Sequence, residues 1–541
     1  MTKKYSDILI RIGEWNEQEK AYPVEATVDD GSFFEGGQLV FDSAEVLAAE
    51  KNNEKYGREW FDALLSEPIR RAYNMARGRA QVQSDNFLRV RLWIDPDAAE
   101  LHAIPWERIY HSHDGQFVPM AATLVTPFSR YTRLEMADPT PISERPIRML
   151  IAIANPKDVT SKFNLVPVPV LDELENLRLA LREIAQRRQQ QIGELAITLM
   201  VGQTTLSDEV RNSLIQDGYE LVTGNTTLDN IFEHLRGQHI FHFIGHGSFR
   251  REPKQVRGPG RAFLFLEDEE GNTKPCRDED FVARLNVLDA AAKPALIFLS
   301  ACDSAKQDQE HPFVGLAPRL IQAGIPAVVA MQALVPITTA QQLTRQFYRS
   351  LLEHGLVDRA MNEARAALFK NKEQDWAIPA LFSRLTGGQL FIDNPVLRAI
   401  RAIYEIPDFR PWDLKGYLPL PLDAIHLTGD QDPSSISVSG ENMAPSQDLV
   451  EAALNIFRRT DETPEDELTF VLLLGSHGMS KSTQLRRLVG LTAGNAIKAK
   501  AYERVIPIYV DLVQFLQRQN VPGNPIEQLM WEKFANLLAL N

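Results

Sequence analysis

Between residues 149 and 395, apolar runs of strand length alternate with stretches of helical period. Strands are expected at 149–154, 196–201, 239–244, 295–299 and 327–331. Helices are expected at 172–189, 228–235, 315–322, 339–352 and 357–368. The first of these helices places Leu174, Leu177, Leu181 and Ile184 on one face. Such alternation means an α/β fold, with a mainly parallel sheet and helices on both faces. Residues 262–266, followed by Glu267-Asp268-Glu269-Glu270-Gly271-Asn272, predict a hairpin between the third and fourth strands.

Two of the runs end alike. HIFHFIGHGSF (residues 239–249) stops at Gly245-His246-Gly247, and ALIFLSACDSA (residues 295–305) stops at Ser300-Ala301-Cys302-Asp303. A strand that ends in small residues presents its last side chain at the carboxyl edge of the sheet. In open α/β sheets, ligands and chemistry sit at that edge. A thiol with an ordinary pKa near 8.5 is only a few per cent thiolate at neutral pH. An imidazole within hydrogen-bond reach can take its proton and later deliver it to a leaving amine. His246 and Cys302 are therefore the candidate catalytic dyad. The backbone N–H groups of Gly247 and Cys302 are the natural oxyanion donors, and Gly247 lets the backbone approach a substrate carbonyl closely. The competing reading makes Cys302 a core thiol and His246 a strand end.

The remaining histidines and the other cysteine carry less. His239, His242 and His246 follow at spacings of three and four, which puts His239 and His242 on opposite faces of a strand, so no metal site is expected. Cys276 lies in a polar stretch and is assigned no role. Residues 250–261 form a basic, Gly/Pro-rich loop, read as solvated, although it starts beside the expected active-site edge.

Composition limits the partners. The chain has 541 residues, which predicts several domains, and 44% of them are hydrophobic. A net charge of −14 argues against nucleic acid as a general partner. Two cysteines, with no CxxC, support neither a disulfide framework nor a structural zinc site and fit a reducing cytosol. No signal peptide and no bilayer-length apolar run is found, so a cytoplasmic protein with no membrane partner is expected. Residues 1–140 form a smaller α+β region with strands at 8–12 and 87–94 and helix across much of 42–77. Residues 138–148, with three prolines, read as a linker.

The 56 residues from His246 to Cys302 are close to the roughly 50 that separate the two in caspases. FHFIGHGSF, ALIFLSACDSA and GLAPRLIQAGIPAVVAMQALVP, together with the later FYRSLLEHGLVDRAMNEARAAL and DWAIPALF, resemble the CHAT domain, a caspase-like cysteine peptidase family of clan CD related to separases. The resemblance covers about residues 149–393 of a domain read as 149–395, and LHAIPWERIY (residues 101–110) resembles a region that commonly precedes the domain. It implies a caspase-like sheet, a dyad at His246 and Cys302, an oxyanion hole at Gly247 and Cys302, a protein substrate and no cofactor for the peptidase. Some basic-specific members of the clan carry an acidic residue two places before the nucleophile. Here Ser300 stands there, and Asp303 is the candidate for the substrate pocket.

Residues 396–446 are a connecting segment, and its end (430–446) is polar, rich in Ser and Pro, and reads as flexible. Residues 447–541 begin with a helix. An apolar strand at 468–474 then runs into Gly475-Ser476-His477-Gly478-Met479-Ser480-Lys481-Ser482-Thr483. This is close to the phosphate-binding loop GxxxxGK[ST], in which backbone N–H groups cradle phosphates, the lysine reaches the β- and γ-phosphates and a hydroxyl holds Mg²⁺. Gly475, Gly478, Ser480, Lys481, Ser482 and Thr483 are the candidate site for ATP or GTP with Mg²⁺. Ser480 departs from the usual glycine. RVIPIYVDL (residues 504–512) looks like the second strand of a NACHT-type NTPase, which implies self-association. No acidic strand end of Walker B type precedes Asn541, so the chain is expected to be the first part of a longer protein and to hydrolyse NTP poorly. The reading is a regulated cysteine endopeptidase of bacterial defence or cell death. An inactive caspase-like scaffold and an NTP-driven assembly switch remain as alternatives.

Overall fold

Burial pattern separates two kinds of strand in this protein. β1 (Ser6–Ile12), β2 (Tyr22–Val28) and β4 (Leu88–Ile94) turn every second side chain into a core, whereas β8 (Ile147–Ile153) and β15 (Ala327–Met331) are buried on both faces. The second pattern is that of parallel strands roofed by helices on each side. The computed structural model describes residues 5–392, apart from 30, 41–52, 84–86, 97, 103, 114, 133, 135–137, 187–194, 203–205, 251–260, 302–314, 334 and 372–373. Beyond 392 it describes Val489 and Thr492.

The remaining strands are β3 (Phe33–Leu39), β5 (Tyr110–His113), β6 (Gln116–Pro119), β7 (Phe128–Tyr131), β9 (Leu195–Met200), β10 (Tyr219–Val222), β11 (Ile240–Arg250), β12 (Arg261–Glu267), β13 (Thr273–Arg277), β14 (Leu296–Ala301) and β16 (Pro379–Ser383). One sheet runs β10-β9-β8-β11-β14-β15-β16-β7-β4-β1-β2-β3, with the hairpin β12–β13 attached to β11, and β5–β6 stand apart. From β10 to β15 every pairing is parallel, and β16 is antiparallel to β15. The chain winds outward from β8 through β9 and β10, then returns to lay β11, β14 and β15 on the other side of β8. Between β8 and β11 the winding reverses, which makes a topological switch point.

Helices cover both faces. On one lie α3 (Val170–Gln186), α7 (Ile337–His354) and α8 (Val357–Lys370), which bury Leu174, Leu177, Leu343, Phe347, Leu351 and Met361 against Ile151, Ile244 and Phe298. On the other lie α4 (Leu228–Leu235), α5 (Asp278–Val287) and α6 (Leu316–Gln322), with Ile231, Phe281 and Leu320 against Phe241, Phe243 and Ile297. Burial of each such side chain stabilises by roughly 1.5–3 kcal/mol. The large mainly parallel sheet is thus as the sequence predicts.

The N-terminal strands join the same sheet. The core of β1, β2, β4 and the helices Asn53–Leu64 and Glu67–Gln83 includes Trp60, Tyr73 and Trp106. This core is linked to the parallel half where β7 pairs with β4 on one side and β16 on the other. Buried polar groups reinforce the seam. Arg89 Nε donates to Asp358 Oδ2 at 2.5 Å. Arg130 donates to both Glu107 oxygens and to Gln332. Asn362 on α8 donates to the Thr123 and Thr126 carbonyls and accepts from the Phe128 N–H. The sequence does not reveal β7 or β16: each is short and buried throughout, without alternation to mark it.

Candidate active site

β11 belongs to two sheets in succession. From Ile240 to Ile244 it lies parallel between β8 and β14, and from His246 to Arg250 it pairs antiparallel with β12, His246 opposite Phe265 and Gly247 opposite Leu264. Its length exceeds the predicted 239–244 because β12 offers a new partner beyond the parallel sheet. The changeover falls at Gly245. A Cβ there would stand 2.7 Å from the Phe243 ring and 3.4 Å from Ala154. Only glycine lets the backbone pass at this point without displacing a core aromatic.

His246 therefore sits at the carboxyl edge beside the switch point. It is 4% exposed. Its imidazole hydrogen-bonds to the Val166 backbone, and burial lowers its pKa below the ordinary histidine value. Nε2 is buried with no hydrogen-bond partner among the described residues. A neutral imidazole, steadied by main chain and keeping a bare nitrogen, can accept a proton from a group brought to that nitrogen.

The loop that steadies His246 is itself held. Asn155, just beyond β8, accepts from the Val168 N–H through Oδ1 at 2.9 Å, and its own N–H donates to Glu267 Oε1 at 3.0 Å. Glu267 closes β12 and is fully buried. Its Oε2 accepts from the Thr226 N–H at 2.8 Å, and the Thr226 hydroxyl donates to the Ile153 carbonyl. Gly202, after β9, runs at φ +60°, and a Cβ there would fall 2.3 Å from the Glu267 carboxylate. One carboxylate thus ties two loops of the carboxyl edge, after β8 and after β10, to the hairpin that carries on from His246, and packs against a third at Gly202. Sequence reasoning places Glu267 in a turn and passes over Asn155 and Val166. The one local signal is a polar residue directly after an apolar run.

β14 brings the second predicted strand end alongside. Ile244 lies opposite Ser300 and Gly245 opposite Ala301. Cys302 is the next residue of the chain. Cys302 and Asp303 lie outside the described residues, as do 251–260 of the basic loop and Gly475, Gly478, Ser480, Lys481, Ser482 and Thr483.

Between the sheet, α3 and α7 lies a small cleft of about 10 Å³, lined by Glu173, Asn176, Leu177, His242, Ile244, Ser300, Ala340, Gln341 and Thr344. His242 is 1% exposed. Its Nδ1 lies 3.2 Å from the Tyr348 hydroxyl, and its Nε2 has no hydrogen-bond partner among the described residues. Burial pushes its pKa down to about 3. His239 stands at the opposite end of β11, where it bonds to Arg148, and does not join the site. Cys276 is a buried thiol on β13, raised to about 12 by burial, and is inert by position. Among the described residues no group of three His, Cys, Asp or Glu side chains could hold a metal ion, and no helix is long and apolar enough to cross a membrane.

A parallel sheet that reverses its winding between β8 and β11, ends in antiparallel β16 and carries a histidine at the switch-point edge defines a caspase-like α/β fold. The family of CHAT-domain proteins is matched over residues 54–413, and the chain belongs to it. The CHAT domain is a caspase-like cysteine peptidase family, so at that level the chain is a hydrolase of the protease class. None of the curated proteins matches the chain.

Proposed function

We propose that this protein is a cysteine endopeptidase that cleaves a protein target with His246 as general base and Cys302 as nucleophile. One observation supports the reading: the parallel register of β11 and β14 sets Gly245 opposite Ala301, and the residues that come next in the chain after this pair are His246 and Cys302. In the reaction, His246 takes the thiol proton of Cys302 and the sulfur attacks the scissile carbonyl. His246 returns the proton to the leaving amine, and water then hydrolyses the thioester. The N–H groups of Gly247 and Cys302 are the proposed donors to the oxyanion. Burial keeps His246 in the neutral form that such a base requires.

The test is cleavage of a diverse peptide library by the chain and by its Cys302→Ala and His246→Ala variants. Cleavage lost at least 100-fold in both variants is expected. Cleavage that survives in Cys302→Ala, or no cleavage and no selective labelling of Cys302 by a thiol reagent, would return the domain to a scaffold role.

The reading extends to regulation on sequence grounds alone. Residues 475–483 bind a nucleoside triphosphate with Mg²⁺, Lys481 meets its phosphates, and binding promotes self-association that switches the peptidase on, in the manner of a NACHT-type signalling protein in bacterial defence. Support comes from the strand, loop and helix pattern around Lys481. Nucleotide binding measured by calorimetry should disappear in Lys481→Ala. Equal binding by both proteins would remove the regulatory half of the reading and leave the peptidase half standing.

A further inference from the structure

Val166 turns outward in a stretch whose other valines are packed. Residues 163–171, FNLVPVPVL, carry no charge. Leu165, Val168 and Val170 are buried, whereas Val166 is 50% exposed and Pro167 is exposed beside it. A single exposed apolar side chain is ordinary on a protein surface. Two features set this one apart. The Val166 backbone bonds the His246 imidazole, and because Nε2 has no partner among the described residues, that bond engages Nδ1. The chain is also fixed on either side of Val166. Leu165 packs with Val159 and Phe265, and its carbonyl accepts from the Thr160 hydroxyl at 2.9 Å. The Val168 N–H donates to Asn155 Oδ1 at 2.9 Å.

Reach decides what can cover Val166. A hydrogen bond of about 3 Å and the span of one residue put the Val166 side chain about 7 Å from Nδ1 of His246. An extended peptide advances about 3.3 Å per residue. A substrate whose leaving amine meets Nε2 therefore brings its first or second residue from the cleaved bond to Val166.

We infer that Val166 and Pro167 form an apolar ledge beside the general base, and that the protein substrate covers it with an aliphatic or aromatic side chain within two residues of the cleaved bond. The inference rests on the peptidase reading and names a feature of the substrate at that same site. Removing apolar surface from water favours such a side chain. A ledge on a fixed backbone loses little freedom when it is covered. A charged side chain in the same place would give up water and find no counter-charge among residues 163–171.

The experiment uses the full chain and its Val166→Ala and Val166→Glu variants. Peptides vary one position at a time over the two residues on each side of the cleaved bond. Thiol-reactive peptidyl ketones give a second readout through labelling of Cys302. Both variants change a half-exposed side chain and keep the backbone group that bonds His246, so the fold is expected to stand. At one of the varied positions, leucine, valine or phenylalanine should exceed serine, asparagine, aspartate and lysine about 10-fold in kcat/KM. Val166→Ala should weaken that preference roughly 3-fold. Val166→Glu should remove it and make lysine or arginine the better residue at the same position. Cys302-dependent cleavage with no apolar preference at any of these positions would overturn this inference and leave the peptidase reading intact. So would an apolar preference that neither variant moves. Absence of both cleavage and labelling with every peptide would overturn the inference and the peptidase reading together.

Discussion

Gly245 on β11 stands opposite Ala301 on β14 in parallel register, and the core aromatic Phe243 fills the space a side chain at 245 would take. The glycine therefore sets how closely the end of β11 follows the sheet before it turns to β12. Gly245→Ala would place a methyl carbon 2.7 Å from the Phe243 ring. Overpacking of this kind costs about 1–3 kcal/mol. A urea midpoint lowered accordingly is expected, together with at least a 10-fold loss of Cys302-dependent cleavage, because His246 is the next residue. A variant as stable and as active as the wild type would show that β11 tolerates displacement here.

Glu267 and Asn155 lie 112 residues apart in sequence, yet the carboxylate accepts from the Asn155 N–H and from the Thr226 N–H. Glu267→Gln keeps the shape but turns an NH₂ group toward one of those two N–H donors. A buried donor left unmatched costs about 1–3 kcal/mol. Because Asn155 also holds the Val168 N–H, two residues past the backbone that steadies His246, loss of cleavage should exceed what the fall in stability explains at the assay temperature. The measurement is kcat/KM beside a thermal melt. Activity lost only in proportion to unfolding would make Glu267 a purely structural tie.

These two examples mark what a sequence can and cannot disclose here. The parallel strands are legible because both of their faces are buried, which leaves uninterrupted apolar runs such as MLIAIA and LIFLS. The position of His246 is legible for the same reason, since such a run ends just before it. β3 is not, because Gly36 and Gly37 interrupt it, and Gly37 is required by the Ile69 side chain 2.5 Å from where its Cβ would be. The union of the N-terminal strands with the main sheet is hidden because it depends on β7 and β16, which pair across about 250 residues. The support of His246 by Val166, Asn155 and Glu267 is hidden too, since each contact joins loops that share no local pattern.

His242 gives the molecule a calculable acid sensitivity. Its folded pKa is about 3, below the ordinary value of 6.5, because the imidazole is fully buried. Above pH 6.5 neither the folded nor the unfolded chain protonates it, and its stability contribution is complete. As pH falls below 6.5 the unfolded chain takes up the proton and the folded chain does not, so stability declines until the pH passes about 3. The slope is about 1.4 kcal/mol per pH unit for one such group. Between pH 7 and 5, the wild type should lose about 2 kcal/mol more than His242→Gln, which keeps a polar group near Tyr348 but does not titrate. Urea denaturation at the two pH values measures it. Equal losses would mean that His242 is protonated in the fold as readily as in water.

Asp358 on α8 and Arg89 on β4 are 3% and 4% exposed, and their ion pair crosses the seam between the two halves of the sheet. Space around Asp358 is confined: Gly388, at φ +66°, could not carry a Cβ without meeting its carboxylate at 2.3 Å. Arg89 has further support from Asp7 at 3.7 Å and from the Tyr5 ring at 4.3 Å. Asp7 is a poor substitute partner, since at 3.7 Å its carboxylate is beyond hydrogen-bond reach of the guanidinium. Asp358→Ala therefore strands a buried guanidinium, and breaking such a pair from one side costs about 3–5 kcal/mol. The double variant Arg89→Met, Asp358→Leu removes both charges and fills the same space, so it should recover most of that loss. Urea midpoints of the wild type, both single variants and the double variant close the cycle. Recovery in the double variant would show that the seam needs packing and not charge, so that the N-terminal strands are fixed to the parallel half of the sheet by volume and pairing. A double variant as unstable as Asp358→Ala would instead give the ion pair itself the task of holding β4 and α8 in register.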